Sequence, residues 1–232
     1  MTAPLAGKLA VVTGASRGIG RAVANALHAA GCHVVRLART LAEQAGERLT
    51  DLSCDVCDAA SVARAAGKVL AQHGPPDLLV NAAGSFLLKP LAETNAEEFA
   101  GQLATNLSGP FAVLRAFTGP MIARGSGLIV TIGSIADHAT FPGNAAYSAS
   151  KYGLRGLHGV LAAELAGTGV RATLLSPGPV DTSLWDQVDL SRPGFTQRAG
   201  MLRAADVAEA VVFLATRPEH VAVPELHIEP RR

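Results

Sequence analysis

The strongest constraint on the fold of this chain is the alternation of short apolar runs with helical patterns. LAVVT at residues 9 to 13 is apolar and β-branched, and a glycine-rich turn and the helical pattern RAVANALHAAG follow it. Similar apolar runs occupy residues 33 to 38, 52 to 56, 77 to 84, 127 to 134 and 170 to 178. Strands that are apolar almost throughout are buried on both faces, which predicts a parallel sheet with helices on each side. The predicted fold class is therefore α/β: a Rossmann-like, doubly wound parallel sheet in three α/β/α layers.

Two segments depart from this regular alternation. The stretch ARTLAEQAGERLTDLS leaves only about three helical turns between the second and third predicted strands, so we expect a short helix there. The segment TSLWDQVDLSRPGFTQRAGML, residues 182 to 202, is long and irregular, and we interpret it as a substrate lid. No linker or internal repeat marks a boundary, and we expect one domain over residues 1 to 232.

Composition narrows the class of partner. The chain is 49% hydrophobic and 17% charged with a net charge of +1, which argues against disorder and against a general electrostatic grip on nucleic acid. No apolar run approaches the roughly 20 residues of a membrane span, so we expect a cytoplasmic protein that binds small molecules, without nucleic acid or membrane partners. Cys54 and Cys57 form a CxxC, but no second pair follows; we interpret them as packing residues and expect no metal site.

The glycine-rich turn TGASRGIG places Gly14, Gly18 and Gly20 between the first strand and the first helix. Glycine permits a tight turn and a close approach of the backbone to a pyrophosphate, whose charge the helix N-terminus attracts. A merely tight strand-to-helix turn would look similar. Its place after the first strand of an alternating α/β chain favours nucleotide binding.

Together with this turn, five further motifs stand in a recognisable order. They are NAAG at residues 81 to 84, Asn106 in ATNLSG, Ser134 in TIGSIA, YSASK at residues 147 to 151, and SPGPVDT at residues 176 to 182. In these motifs the whole chain resembles the short-chain dehydrogenase/reductase family. The resemblance implies a single-domain enzyme with a nicotinamide cofactor. NAAG departs slightly from the family, because Ala82 stands where many members have a second asparagine.

The charges at the end of the second strand favour NADP(H) over NAD(H). Enzymes that select NAD usually carry a carboxylate there for the ribose 2′-hydroxyl, whereas this chain has Ala38 followed by Arg39. Arg17, in the glycine turn, is the family's other basic position for NADP(H), and an arginine fork suits a phosphate. The alternative is that both arginines are ordinary solvated surface residues.

The proposed chemistry centres on Tyr147 and Lys151, which are four residues apart and share one face of a predicted helix. A free tyrosine has a pKa of about 10, and a nearby ammonium stabilises the phenolate. Tyr147 is then the general acid in reduction and the base in oxidation. Ser134 ends a strand beside the cofactor and is assigned the hydrogen bond to the substrate carbonyl. By resemblance, Lys151 also holds the nicotinamide ribose, and Asn106 holds a water near the lysine.

The full set of expected cofactor contacts follows from the glycine turn and from the resemblance. Within it, Asp55 and Val56 are expected to meet the adenine, and residues 177 to 182 to hold the nicotinamide carboxamide, unless they form a simple Pro/Gly turn. The set is Gly14, Ser16, Arg17, Gly18, Ile19, Gly20, Arg39, Thr40, Asp55, Val56, Asn81, Ala82, Gly84, Tyr147, Lys151, Pro177, Gly178, Val180 and Thr182.

Substrate and assembly carry weaker signals. Phe86, His138, Phe141 and Trp185 are the expected substrate contacts. The apolar residues of the lid, with Phe86, Leu87 and Phe141, favour a small aldehyde or ketone, or the matching alcohol, unless the lid residues pack against the body of the domain. A 3-ketoacyl-carrier-protein reductase is the alternative enzyme, and a non-catalytic nucleotide-sensing or scaffold protein is a remote one. Glycines spaced by three after Lys151 either pack on the protein's own sheet or, as the resemblance implies, lie at the interface of a homodimer or homotetramer.

Overall fold

The computed structural model describes residues 3–191 and 196–231. The strands, in chain order, are β1 (Leu9–Thr13), β2 (His33–Ala38), β3 (Gln44–Gly46), β4 (Leu49–Ser53), β5 (Leu78–Asn81), β6 (Gly127–Ile132), β7 (Val170–Pro177), β8 (Val180–Asp181), β9 (Leu202–Arg203) and β10 (Glu225–Ile228). The α-helices are α1 (Gly18–Ala29), α2 (Ala59–His73), α3 (Ala96–Leu103), α4 (Gly109–Arg124), α5 (Ala145–Glu164) and α6 (Ala204–Ala215). A π-helical turn, Ala104–Ser108, joins α3 to α4.

Within the described residues, the main sheet contains eight strands in the order β10-β7-β6-β5-β1-β2-β4-β3. The pairs are parallel except for β3 with β4. The chain runs outward from β1 through β2 to β4 and then returns to β5, on the other side of β1. The prediction of a Rossmann-like α/β fold is confirmed, and the order reverses between β1 and β5, where such sheets bind ligands.

Two apolar cores lie on opposite faces of the sheet. Because successive strand residues point to opposite faces, Val12 packs with Leu27 beneath α1 and α6, whereas the adjacent Val11 packs with Phe117 beneath α2 and α4. All four of these side chains are fully buried. The apolar character of β1 on both faces is therefore what produces three layers.

The predicted short helix between the second and third strands is wrong. The segment forms the antiparallel pair β3 and β4 instead, with Gln44 opposite Asp51, and the third predicted strand begins at Leu49 rather than at residue 52. Arg48, with φ 55, makes the turn. So short a helix is only marginally stable, whereas pairing with β4 satisfies the backbone and brings Gln44 Nε2 within 2.9 Å of Asp51 Oδ2.

The last strand, β10, was not predicted; it extends the sheet at its edge beside β7. The two ends of the predicted lid are held together by the pairing of β8 with β9. Arg198, near the end of the lid, forms ion pairs with Asp181 at 2.6 Å and Asp186 at 2.7 Å, near its start. Residues 192 to 195 of the predicted lid lie outside the described residues. In the described parts of the chain, helices fall short of the length and apolar character that a membrane span requires.

Candidate active site

A cleft of about 1170 Å³ opens where β1, β2, β5, β6 and β7 end. Every predicted motif contributes residues to the lining of this cleft. Of the predicted site residues, Asn81, Asn106 and His138 do not line it. The predicted site residues that line it are Gly14, Ser16, Arg17, Gly18, Ile19, Gly20, Arg39, Thr40, Asp55, Val56, Ala82, Gly84, Phe86, Ser134, Phe141, Tyr147, Lys151, Pro177, Gly178, Val180, Thr182 and Trp185.

The glycine turn has the shape that a pyrophosphate requires. A Cβ on Gly14, whose φ is +66, would lie 2.7 Å from Ala83 Cα, and a Cβ on Gly20 would collide with the Gly14 carbonyl oxygen. Helix α1 starts at Gly18, and no described side chain caps its N-terminal amides. Uncapped amides and the helix dipole favour an anion. The turn therefore fits a dinucleotide cofactor.

Next to the glycine turn, the cleft carries positive charge at the end of β2. Ala38 is 6% exposed and takes the place of an acidic residue, while Arg39 and Arg17 are exposed and both line the cleft. Asp55, which follows the neighbouring strand β4, also lines the cleft, and its Oδ1 accepts a hydrogen bond from the Cys57 amide at 2.9 Å. Cys57 is exposed and lines the cleft, so its interpretation as a packing residue is wrong, whereas Cys54 is 2% exposed.

Three candidate catalytic side chains meet in the middle of the cleft. Tyr147 lies in the first turn of α5, and Lys151 follows one turn later with its Nζ 5.8 Å from the tyrosine ring centroid. Lys151 Nζ donates to the Ile132 carbonyl at 3.0 Å, which ties it to the end of β6. Ser134, two residues beyond β6, accepts from the Ala136 amide through Oγ at 3.1 Å. This bond leaves the Ser134 hydroxyl proton available to another acceptor.

Burial shifts the pKa values of both titratable groups. Although part of Tyr147 faces the cleft, desolvation raises the pKa of its phenol to about 12; a hydrogen bond with Ser134 opposes the rise and the charge of Asp137 adds to it. Burial lowers the pKa of Lys151 to about 8, while Asp137 favours its charged form. The predicted lowering of the tyrosine pKa is thus not what the structure shows, because desolvation dominates. The phenol carries its proton at neutral pH.

Asn106 lies behind the cleft, fully buried in the π-helical turn. Its Oδ1 accepts from the Ser85 amide at 2.8 Å, and its Nδ2 donates to the Ser85 carbonyl at 2.9 Å and to Ser150 Oγ at 3.0 Å. Ser150 Oγ donates in turn to the Tyr147 carbonyl at 2.6 Å. Asn106 therefore fastens the loop after β5 to the helix that carries Tyr147 and Lys151. Its role in holding a water stays a prediction.

Two other predicted residues lie outside the cleft lining. Asn81 is 3% exposed at the end of β5. His138 turns away from the cleft because its Nδ1 lies 2.7 Å from Asp137 Oδ1 and its ring packs edge-on against His227, with centroids 4.6 Å apart. The structure does not bring His138 to the expected substrate position.

Aromatic side chains form one wall of the cleft beside the tyrosine. The Phe86 ring lies edge-on to Tyr147 at 4.9 Å and contacts Trp185 at 5.0 Å, measured between centroids. Trp185 Nε1 donates to the Val180 carbonyl at 3.0 Å, which fixes the indole at the base of the lid. Asn144, which sequence reasoning missed, also lines the cleft; it is 8% exposed, and its Oδ1 has no partner in the described part of the chain. Asn144 stands at the N-cap of α5, where asparagine is common, so no signal in the sequence set it apart.

The chain matches the family model described as short chain dehydrogenase over residues 8–192. That match covers most of its length, and the chain belongs to this family of oxidoreductases.

Similar curated proteins carry different activities in their names. Glycine betaine reductase ATRR from Emericella nidulans is 36% identical over 241 residues, which are 98% of this chain but only 19% of that protein. D-threitol dehydrogenase from Mycolicibacterium smegmatis is 42% identical over 195 residues, 78% of this chain and 75% of that protein. The 3-oxoacyl-(acyl-carrier-protein) reductase FabG from Escherichia coli is 36% identical over 220 residues, 90% of each protein.

Two similar solved structures are described as nucleotide complexes. A metagenomic short-chain oxidoreductase in complex with NADP superposes with a TM-score of 0.83 at 35% identity, covering 99% of each chain. An alcohol dehydrogenase from the archaeon Thermococcus sibiricus, complexed with 5-hydroxy-NADP, superposes with a TM-score of 0.83 at 32% identity, covering 95% of each.

Proposed function

We propose that this protein is an NADP(H)-dependent reductase of small carbonyl compounds that also catalyses the reverse oxidation of alcohols, with Tyr147 as general acid and base. One observation carries the proposal. A single continuous cleft joins the glycine turn at Gly14 to Ser134, Tyr147 and Lys151. When bound, the cofactor supplies the hydride in reduction and accepts it in oxidation.

The protein's own groups then manage the proton. The Ser134 hydroxyl accepts from the Ala136 amide, so its own proton can be donated to Tyr147 or to the carbonyl oxygen of a substrate. Tyr147, whose pKa is raised to about 12, holds the proton that the reduced oxygen takes up at neutral pH. Lys151 uses one N–H bond on the Ile132 carbonyl, which leaves two to donate to the ribose of the cofactor.

The preference for NADP(H) rests on the charges at the end of β2. Arg39 and Arg17 line the cleft as exposed cations, and Ala38 offers no carboxylate that would repel a 2′-phosphate. The NADP named in the two similar structures supports this choice.

The proposed substrate is a small apolar aldehyde or ketone. Support comes from the aromatic wall of Phe86 and Trp185, together with Leu184 and Met201, which also line the cleft. A second candidate is a 3-oxoacyl thioester, favoured by the similarity to the Escherichia coli reductase over 90% of both chains. The similarity to D-threitol dehydrogenase makes polyols the necessary third group in any test.

We also propose that copies of the chain associate through α4 and α5. Phe111 on α4 is 51% exposed, and Val160 on α5 is 58% exposed. Three glycines on α5, Gly153, Gly156 and Gly159, are spaced by three residues. Gly153 packs inside the protein against Leu107, but a Cβ at Gly156 or Gly159 would meet nothing within 4 Å. This open apolar face supports a homodimer or homotetramer. Light scattering at micromolar concentration is expected to give a dimer or larger, and a monomer contradicts this proposal.

The proposed reaction is tested by measuring oxidation of NADPH with four groups of compound: apolar aldehydes and ketones, an acetoacetyl thioester, keto sugars, and hydroxyketones that correspond to polyols. Turnover that is fastest with the apolar carbonyls is expected. Faster turnover of the thioester favours the second candidate. The reverse reaction is measured as reduction of NADP⁺ with the alcohols that correspond to these carbonyl compounds. Binding of NADPH without turnover in either direction contradicts the enzymatic proposal and favours a nucleotide-sensing protein.

A further inference from the structure

A fully buried carboxylate, Asp137, lies directly behind Ser134. Its Oδ2 accepts from the Ser134 amide at 3.1 Å and from Ser176 Oγ on β7 at 2.5 Å. Its Oδ1 lies 2.7 Å from His138 Nδ1 and 3.5 Å from an Arg155 Nη1 on α5. Burial alone would raise the pKa of Asp137, but the hydrogen bonds from Ser176, His138 and Ser134 hold it below its ordinary value. The group is therefore ionised, and its charge is paired rather than hydrated.

The end of β6 is shaped to admit this carboxylate. A Cβ at Gly133 would collide with Asp137 Oδ2 and would lie 2.7 Å from Ser176 Oγ. Any side chain at position 133 would therefore displace the hydrogen bonds that hold Ser134. The absence of a side chain at Gly133 is therefore what allows the Asp137 carboxylate to reach the Ser134 amide at the end of β6.

Charged groups from α5 and from the C-terminal strand brace Asp137. Arg155 lies one helical turn beyond Lys151 and is paired at 2.7 Å with Glu225 on β10. His227, also on β10, packs against His138 and lies 3.4 Å from Glu225. His158, a buried residue further along α5, also interacts electrostatically with Arg155 and Glu225.

The same carboxylate acts electrostatically on the reacting residues. Its negative charge adds to the raised pKa of Tyr147 and favours the charged form of Lys151. No other described acid contributes to either shift.

We propose that Asp137 is a positioning residue, which fixes Ser134 at the cleft and is itself braced by α5 and the C-terminal strand. This inference rests on the proposed carbonyl reduction. It predicts two separable effects of Asp137: a geometric effect on Ser134 and a charge effect on the proton of Tyr147.

The test is the substitution Asp137→Asn, whose amide oxygen can still accept from Ser134 and Ser176 but whose charge is lost. It is expected to lower kcat on the order of tenfold with little change in KM for NADPH, because a buried charge-assisted hydrogen bond is weakened. The basic limb of the pH profile of kcat is expected to move to lower pH. Ser176→Ala, which removes one of the bonds to Asp137 but leaves its charge in place, is expected to lower kcat by less and to leave the pH profile unmoved. Asp58→Asn is the matched control, because Asp58 is an exposed acid at the N-cap of α2 and asparagine caps equally well.

A second readout does not need turnover. The chain has two tyrosines, Tyr147 and the exposed Tyr152, so carbon-13 labelling at the ring Cζ gives two NMR signals to titrate. In Asp137→Asn, Tyr147 is expected to titrate at lower pH than in the unsubstituted protein. Wild-type protein without turnover contradicts the proposed function only. Unchanged titration of Tyr147 in Asp137→Asn, with an unmoved pH profile, contradicts the role of Asp137, even where thermal stability falls.

Discussion

The proposed preference of this protein for NADP(H) can be tested with a single substitution, Ala38→Asp. Ala38 ends β2, lines the cleft and is followed by the exposed Arg39. An aspartate there supplies the carboxylate with which NAD-selective enzymes bind a ribose 2′-hydroxyl. The same carboxylate repels a 2′-phosphate. The substitution should therefore weaken the binding of NADPH and, at the same time, strengthen the binding of NADH.

The size of the change follows from the exposure of the position. Two unit charges 4 Å apart repel by about 4 kcal/mol at an effective dielectric constant of about 20. Salt and the open solvent around Arg39 reduce this to about 2 kcal/mol, or roughly 30-fold in the Kd for NADPH. One new charge-assisted hydrogen bond to NADH contributes about 1.5 kcal/mol, or roughly tenfold. The ratio of the two affinities should thus move by roughly 300-fold, the product of these factors.

The assay is equilibrium binding of NADPH and NADH by calorimetry, which needs no substrate. Ala38→Asn is the matched control, because it keeps the size and the hydrogen bond but adds no charge; it should leave NADPH binding much less affected. Arg39→Leu should weaken NADPH without strengthening NADH. An affinity ratio that stays within about threefold of the wild type in Ala38→Asp refutes the reasoning, since it means that no 2′-phosphate lies near this strand end.

Two further predictions concern stability. Asp51 is 2% exposed and accepts two hydrogen bonds of 2.6 Å from Arg36. Asp51→Ala should therefore lower the free energy of unfolding, measured in urea, by about 3 kcal/mol. The control is Arg64→Ala, which removes an exposed ion pair with Asp58 at 3.7 Å and should leave the free energy of unfolding nearly unchanged. Burial lowers the pKa of His158 from 6.5 to about 4. Between these two pH values the unfolded chain binds a proton at His158 that the folded chain does not. The free energy of unfolding should therefore fall by about 3 kcal/mol as the pH drops from 6.5 to about 4. His158→Gln should flatten this dependence, and equal slopes in the two proteins would rule out His158 as its source.

The sequence predicts the parts of this fold whose stability is visible locally. β1 and β2 coincide with their apolar runs to the residue, because strands buried on both faces are apolar throughout. The edge strands β3 and β10 escape prediction because they are short and largely exposed, and pairing with β4 and β7 rather than their own pattern makes them strands.

The candidate site, like the fold, could be predicted from the sequence only in part. Motif residues at strand ends, such as Ser134, could be placed in advance because the carboxyl ends of parallel strands meet at one edge of the sheet. The surroundings of Asp137 could not, since Ser176 is 39 residues away in sequence and meets it only through the register of β6 and β7. His138 was misplaced for the same reason: its neighbour His227 lies on the unpredicted strand β10.

The central claim, that Tyr147 is the proton donor, is tested most directly by Tyr147→Phe. Phenylalanine keeps the ring against Phe86 and removes only the hydroxyl. We predict that kcat for the best carbonyl falls on the order of a thousandfold while the Kd for NADPH stays within about threefold of the wild type. Tyr152→Phe, at the exposed tyrosine of the same helix, should leave both values unchanged. A Tyr147→Phe protein that retains kcat within about tenfold of the wild type contradicts the account.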